Sequence, residues 1–286
     1  MSLIELRNLH KRFGKLVVLD GVDLAVPEGQ SLVVIGASGT GKSVMLKHIV
    51  GLLKPDKGEV WFDGQRTDNL GERDLDPVRK QIGFLFQMGA LFDSFTVEDN
   101  IAFPLREHTA QSPEEVSRAV DEKLRMVGLP DVRKKMPAEL SGGQRKRIGL
   151  ARAIALGPRV ILYDEPTTGL DPIRSDVINE LILKLQRELQ VTSITVTHDM
   201  QSAFKVADRI VMLYKGKVAF DGTPEEIQQS QDPRIRSFVT GEAGPEDLEG
   251  LEKTSAPRAT LEDGPPRGDA PEATAKEDAG RRKQAG

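Results

Sequence analysis

Residues 31–43 read Ser31-Leu32-Val33-Val34-Ile35-Gly36-Ala37-Ser38-Gly39-Thr40-Gly41-Lys42-Ser43. A short continuous apolar run such as Ser31–Ile35 suits a strand buried on both faces of a parallel sheet. Gly36–Ser43 then matches G-x-x-x-x-G-K-[ST], set between that strand and a helix predicted over Lys42–Val50. The glycines Gly36, Gly39 and Gly41 let the backbone N–H groups of this loop, including those of Ala37, Ser38 and Thr40, turn inward around phosphate oxygens. The helix N-terminus adds its dipole. Lys42 has the reach for β- and γ-phosphates, and the Ser43 hydroxyl can ligate Mg2+. Alone, the motif indicates a nucleoside triphosphate and nothing narrower, since kinases, GTPases and motors share it.

A second motif lies downstream, Arg159-Val160-Ile161-Leu162-Tyr163-Asp164-Glu165-Pro166. An Asp at the end of a buried strand beside such a loop can hold Mg2+ directly or through water. Its neighbour Glu165 can polarise an attacking water as a general base. Without the loop, a helix-capping turn would be the lesser alternative for Asp-Glu-Pro. Between the two motifs stands Leu140-Ser141-Gly142-Gly143-Gln144, where Ser141 reads as the N-cap of a helix running to Leu156. That makes a second anion-binding helix N-terminus in one chain.

The rest of residues 1–240 alternates strand and helix signals. Leu3–Leu9, Leu16–Val26 and Glu59–Asp63 alternate as strands do; Val160–Tyr163, Ser193–Thr197 and Arg209–Tyr214 join Ser31–Ile35 in a buried sheet. Helices are predicted over Pro113–Val127, Ser141–Leu156, Ile173–Leu189 and Gln201–Val206; in Ile173–Leu189, Val177, Leu181, Leu185 and Leu189 recur every four residues. Residues 88–157 are mostly helical and read as an inserted subdomain.

Composition sets outer limits. The chain has 286 residues, 38% hydrophobic and 29% charged, with Lys+Arg 40 against Asp+Glu 44 and a net charge of −4. No basic excess points to nucleic acid as the main partner. The absence of Cys excludes disulfides and cysteine-ligated zinc or iron–sulfur centres. No run approaches the ~20 apolar residues that cross a bilayer, and the N-terminus lacks a signal-peptide core, so a cytoplasmic chain is expected. Any work at a membrane then needs another protein to hold it there. Residues 241–286 are rich in Gly, Pro, Ala and charge, without an aromatic residue, and are expected to be disordered. Just before them, Ile235, Phe238 and Val239 fall at helical spacing and are expected to dock on the domain's own core or across a dimer.

Taken together, these motifs resemble the ATP-binding-cassette (ABC) ATPases over about residues 3–235. The resemblance implies an α/β P-loop NTPase of ABC ATPase type: a RecA-like core, an antiparallel β subdomain and a helical subdomain at about 88–157, within a domain of residues 1–235. Residues 236–286 form a C-terminal extension. The family's motifs stand in order. The P-loop is Gly36–Ser43, the Q-loop glutamine is Gln87, and the signature is Leu140–Gln144, with Ser141, Gly142, Gly143 and Gln144 toward nucleotide. Walker B ends at Asp164 before catalytic Glu165. The D-loop is Gly169-Leu170-Asp171, and the switch histidine is His198. Phe13 stands where the family places an aromatic against adenine, usually Tyr; a core position in its strand is the alternative. The resemblance further implies ATP and Mg2+, the ion held by Ser43, Gln87 and Asp164, with Lys42, Glu165 and His198 at the reacting phosphate. It implies a head-to-tail homodimer enclosing two ATP and driving a separate transmembrane permease.

The stretch Gly89-Ala90-Leu91-Phe92, with Asp99-Asn100-Ile101-Ala102-Phe103-Pro104-Leu105-Arg106-Glu107-His108, narrows the resemblance. Together with Asp171-Pro172-Ile173, it is similar to the ATPases of MCE-type lipid transporters, the MlaF group. That implies lipid or phospholipid transport, a location on the cytoplasmic face of the inner membrane through the permease, and a possible MCE-domain lipid-binding partner. Two other readings stand beside it: an importer cassette for polar amino acids or another small solute, and a soluble cassette acting on nucleic acid or ribosomes. Only about 100 residues separate P-loop and signature, too few for the long coiled coils of repair cassettes. One ATP site per chain also departs from translation-factor cassettes.

Overall fold

In the computed structural model, residues 2–242 are described; the expected disorder of the tail beyond them lies outside the described residues. The strands are β1 (Ser2–Phe13), β2 (Leu16–Pro27), β3 (Ser31–Ile35), β4 (Lys57–Phe62), β5 (Gln65–Arg66), β6 (Ile82–Leu85), β7 (Val160–Asp164), β8 (Thr192–Thr197), β9 (Arg209–Tyr214) and β10 (Lys217–Gly222). The helices are α1 (Lys42–Ile49), α2 (Glu72–Arg79), α3 (Val97–His108), α4 (Pro113–Met126), α5 (Gly142–Ala153), α6 (Pro172–Leu189), α7 (Met200–Val206), α8 (Pro224–Gln228) and α9 (Pro233–Thr240).

An antiparallel sheet runs β2-β1-β4-β5, and a second sheet runs β10-β9-β3-β8-β7-β6. In the second sheet β9, β3, β8, β7 and β6 are parallel, and β10 pairs antiparallel along the edge. The apolar runs predicted as doubly buried strands are just that. Every residue of β3, β7 and β8 is buried. The period-two geometry of a strand then sorts β3 between two cores. Val33 and Ile35 face a cluster shared with α3, α4, α5 and α6, whereas Leu32 and Val34 face one shared with α1, β1 and β2.

The helical stretch after residue 88 contains α3, α4 and α5, and its apolar residues join the first of these clusters through Leu85, Ile148 and Ile154. Helix α4 begins with a capping box: Ser112 Oγ accepts from the Glu115 N–H, and Glu115 returns an acceptor to the Ser112 N–H at 2.7 Å. Helices α2 and α3 carry an internal proline each, Pro77 and Pro104, which breaks the sequence signal for a helix without breaking the helix.

One stripe lies differently from its sequence pattern. In α6, Ile178, Leu181, Ile182 and Leu185 are buried, while Val177 is 46% exposed and Ile173 79% exposed. A strict four-residue series drifts around a helix of 3.6 residues per turn, so Val177 falls off the buried face. Helix α9 lies on its own domain, as the first of the two alternatives expects. Ile235 is buried, and Phe238 and Val239 pack on the first core cluster of their own chain.

Replacing Ile235 by Ala should therefore cost about 2–4 kcal/mol, through lost burial and a residual cavity. Thermal melting should show a loss that is the same at all protein concentrations; a loss that grows on dilution would place the contact between chains.

Candidate active site

The parallel strands bring the motifs to one edge. Ile35 pairs with Thr197, Asp164 with Val196, and Leu85 with Tyr163. Gly36, His198 and Glu165 each follow directly on a strand end, and Gln87 lies two residues past β6. Open α/β sheets bind ligands outside these carboxyl ends.

The turn from β3 to α1 is shaped by glycine. Gly36 has φ +152°, and a Cβ there would stand 2.5 Å from the Leu213 carbonyl oxygen. Gly41, at φ +101°, is the N-cap of α1 and has no side chain to cap it; the first turn of α1 holds no acidic residue. The N–H groups of this helix end therefore have no side-chain acceptor and favour an anion. Ala37, Ser38 and Gly39 are exposed around the opening, and Thr40 Oγ1 donates to the Ala37 carbonyl at 2.8 Å.

Lys42 is buried, and its Nζ donates to the carbonyls of Gly36 (2.7 Å) and Ala37 (3.1 Å) while lying 3.8 Å from Glu165 Oε1. Burial lowers its pKa, and the charges of Glu165 and Asp164 oppose that shift. Ser43 Oγ donates to Asp164 Oδ1 at 2.6 Å. Burial raises the pKa of Asp164, against the Ser43 hydrogen bond, and the neighbouring Glu165 charge adds to the rise. A cation between Ser43 and Asp164 would reverse that tendency.

Glu165 is 8% exposed and has φ +51°, the left-handed region, directly before Pro166. Its N–H donates to the Val196 carbonyl at 2.9 Å, and its Oε2 accepts from Thr168 Oγ1 at 2.9 Å. His198 Nδ1 lies 2.9 Å from the same Oε2, and the half-exposed ring leaves its other edge toward solvent. The turn after His198 is fixed by Asp199, whose carboxylate accepts from Ser202 Oγ (2.6 Å) and Thr167 Oγ1 (3.3 Å).

The remaining predicted residues do not join this centre. Gln87 is exposed past β6, and no hydrogen bond among the described residues ties it to Ser43 or Asp164. Ser141 caps α5, with Oγ accepting from the Gln144 N–H and Gln144 Oε1 accepting from the Ser141 N–H at 2.9 Å. Ser141 and Gly142 are exposed; Gly143 is buried, and both glycines lie close to Leu170. Asp171 caps α6, accepting from the Arg174 N–H at 3.0 Å, and is exposed. Phe13 is 48% exposed at the end of β1, with Lys11 Nζ 5.6 Å from its ring, so the core alternative for it falls.

The family model for ABC transporters matches residues 19–168. The intermembrane phospholipid transport ATP-binding protein MlaF of Haemophilus influenzae is 45% identical over 242 residues, covering 85% of this chain and 92% of that one. The chain belongs to the ABC transporter family of ATP-binding proteins. A second relative, the probable ribonucleotide transport ATP-binding protein mkl of Mycobacterium leprae, is 43% identical and covers 83% of this chain and 69% of its own length. Among solved structures, the cassette MJ0796, dimeric in a post-hydrolysis state with ADP and Pi, superposes with a TM-score of 0.72 at 36% identity, covering 77% of this chain and 98% of that one. The chain is accordingly an ATPase of the P-loop type.

Several residues of this ABC site escape the motifs. Lys146 Nζ donates to the carbonyls of Glu165 (3.2 Å), Pro166 (2.7 Å) and Thr168 (2.7 Å). Its only sequence signal is its place in the basic triplet that follows the signature. Gly149 leaves room for the turn after Gln87, since a Cβ on it would meet the Gly89 carbonyl oxygen at 2.9 Å. Arg152, three residues on, donates to that same carbonyl at 3.1 Å. Replacing Gly36 by Ala should force the loop off the Leu213 carbonyl, lowering ATP affinity at least tenfold and stability by about 1–3 kcal/mol. Nucleotide titration and thermal melting would check this; wild-type affinity would mean the loop absorbs the methyl.

Proposed function

We propose that this ABC ATPase closes as a head-to-tail homodimer around two MgATP and drives lipid transport of the Mla type through a separate transmembrane permease. The observation that carries the lipid reading is the 45% identity to a phospholipid transport ATPase across 92% of that relative. The dimer reading draws on the outward placement of Ser141 and Asp171 and on the dimeric MJ0796 cassette. Among the described residues no helix is long and apolar enough to cross a membrane, so attachment at the cytoplasmic face of the cell membrane falls to the permease.

In this reading the N–H groups of Gly36–Ser43 hold the β- and γ-phosphates, and Lys42 leaves the Gly36 and Ala37 carbonyls to meet their charge. Phe13 stacks on adenine. Ser43 and Asp164, with Gln87, hold Mg2+, which when bound neutralises charge on the phosphates. The residues suit it: a hydroxyl already faces a carboxylate, and phosphate oxygens supply further hard ligands. Glu165 takes the proton from water as the water attacks the γ-phosphorus, and ADP leaves as phosphate forms. His198 orients the γ-phosphate and that water beside Glu165. Ser141, Gly142, Gly143 and Gln144 meet the γ-phosphate of the partner's ATP, and Asp171 lies at the same junction.

The permease contact has a counterpart in an exposed aromatic cluster. Phe92, Phe95 and Phe103 have ring centroids 5.1, 5.2 and 6.0 Å apart, and Arg152 covers Phe92 at 5.4 Å. Beside them a groove is lined by Arg79, Phe84, Phe86 and Leu156. An MCE-domain lipid-binding protein completes the assembly; no nucleic acid is expected. The relatives named for ribonucleotide transport favour a second reading, a cassette for a small polar solute.

Purification of the tagged chain from membranes tests the choice. Lipid co-purifying with a permease, and ATP-dependent lipid transfer between vesicles, are expected; transfer of a polar solute instead would favour the second reading. Glu165→Gln should retain MgATP binding and accumulate the closed dimer on sizing chromatography, and wild-type turnover by it would remove Glu165 from the base role. Lys42→Ala and Ser141→Arg should each abolish turnover, yet a mixture should recover activity, because one composite site in the mixed dimer is intact. No recovery would count against the head-to-tail arrangement. Phe103→Asp should reduce recovery of the permease by at least tenfold and leave ATP hydrolysis by the isolated chain unchanged.

A further inference from the structure

Lys146 is a buried charge with no assigned part in hydrolysis. It lies on α5 and is 5% exposed. An ammonium has three donors, and here each meets a main-chain carbonyl, those of Glu165, Pro166 and Thr168. Burial lowers its pKa to about 8, against the Glu165 charge, which still leaves it mainly protonated at neutral pH.

The turn it binds is strained. A side-chain-bearing residue at φ +51° is disfavoured, because its Cβ crowds the following carbonyl oxygen. A following proline further disfavours any conformation but the extended one. Such a backbone persists only where its surroundings hold it. The Val196 carbonyl fixes the Glu165 N–H at one end of the turn. Lys146 gathers the three carbonyls onto one ammonium; that of Glu165 also accepts from the Thr168 N–H at 3.3 Å, which closes the turn.

We propose that Lys146 is a positioning residue for ATP hydrolysis: it holds the Glu165–Thr168 turn in the conformation that aims the Glu165 carboxylate, and it ties α5 to that turn. The proposal rests on the reading of Glu165 as the base. It also gives α5 two duties in a head-to-tail dimer. Its N-terminus serves the partner's nucleotide, while Lys146, about one and a half turns along, serves the base of its own chain. A shift of α5 caused by one nucleotide thus displaces the base at the other.

The test uses the full-length chain. Lys146→Met should lower kcat at least tenfold with the KM for ATP and MgATP binding within about twofold of wild type. Lys146→Gln, which keeps donors without charge, should fall between, and Lys146→Arg should recover most of the rate. The double variant Glu165→Gln, Lys146→Met should be no slower than Glu165→Gln alone, because a residue acting through Glu165 has nothing left to act on. A wild-type kcat for Lys146→Met beside an inactive Glu165→Gln overturns the positioning role and leaves the base reading standing. So does a further tenfold loss in the double variant, or a loss confined to KM. Loss of MgATP binding in both the Met and Gln variants also overturns it, since the residue would then serve only the fold. Normal turnover by Glu165→Gln would instead strike the base reading itself, whatever Lys146→Met does.

Discussion

The turn from β3 into α1 leaves backbone N–H groups with no side-chain acceptor, and the site is arranged around that deficit. Gly41 caps the helix without capping its donors, and Gly36 brings the chain against the Leu213 carbonyl where no Cβ fits. Orphan N–H groups at a helix end demand a partner. Lys42 bends back onto the Gly36 and Ala37 carbonyls, and the carboxylates of Asp164 and Glu165 gather on the other side. A polyphosphate supplies the acceptors that the protein withholds, and it draws Lys42 away from carbonyls that offer it less charge.

The parts of the fold written as continuous apolar runs were legible. Ser31–Ile35 and Val160–Tyr163 read as doubly buried strands because both of their faces are covered, so period two disappears from the sequence. The phosphate loop was legible because its glycines answer a steric demand that no other residue meets. Less visible were α2 and α3, whose prolines contradict local propensity while tertiary packing overrides it. Lys146 was illegible for a different reason. Its partners are main-chain carbonyls some twenty residues away, and carbonyls carry no sequence signature.

The aromatic face near α3 depends on one buried amide. Asn100 is fully buried; its Oδ1 accepts from the Phe92 N–H at 2.8 Å, and its Nδ2 donates to the carbonyls of Phe92, Phe95 and Thr96. One side chain thus supplies the hydrogen bonds that a loop would otherwise take from water. With its backbone satisfied from beneath, the 92–96 turn can display Phe92 outward, with Phe95 half-buried beside it. An apolar surface is held open by a polar core residue.

The contact between Gly149 and Gly89 has a mechanical consequence. Where two backbones touch with no clearance, compression is resisted by steep repulsion, whereas separation is resisted only by whatever attraction joins them. Here that attraction includes the Arg152 hydrogen bond to Gly89, worth on the order of 1 kcal/mol. The joint is therefore stiff in one sense and compliant in the other, like a ratchet tooth. The turn behind Gln87 can push the signature helix without slack, whereas the helix drags the turn back only through softer attractions, that hydrogen bond and the Arg152 contact over the Phe92 ring among them.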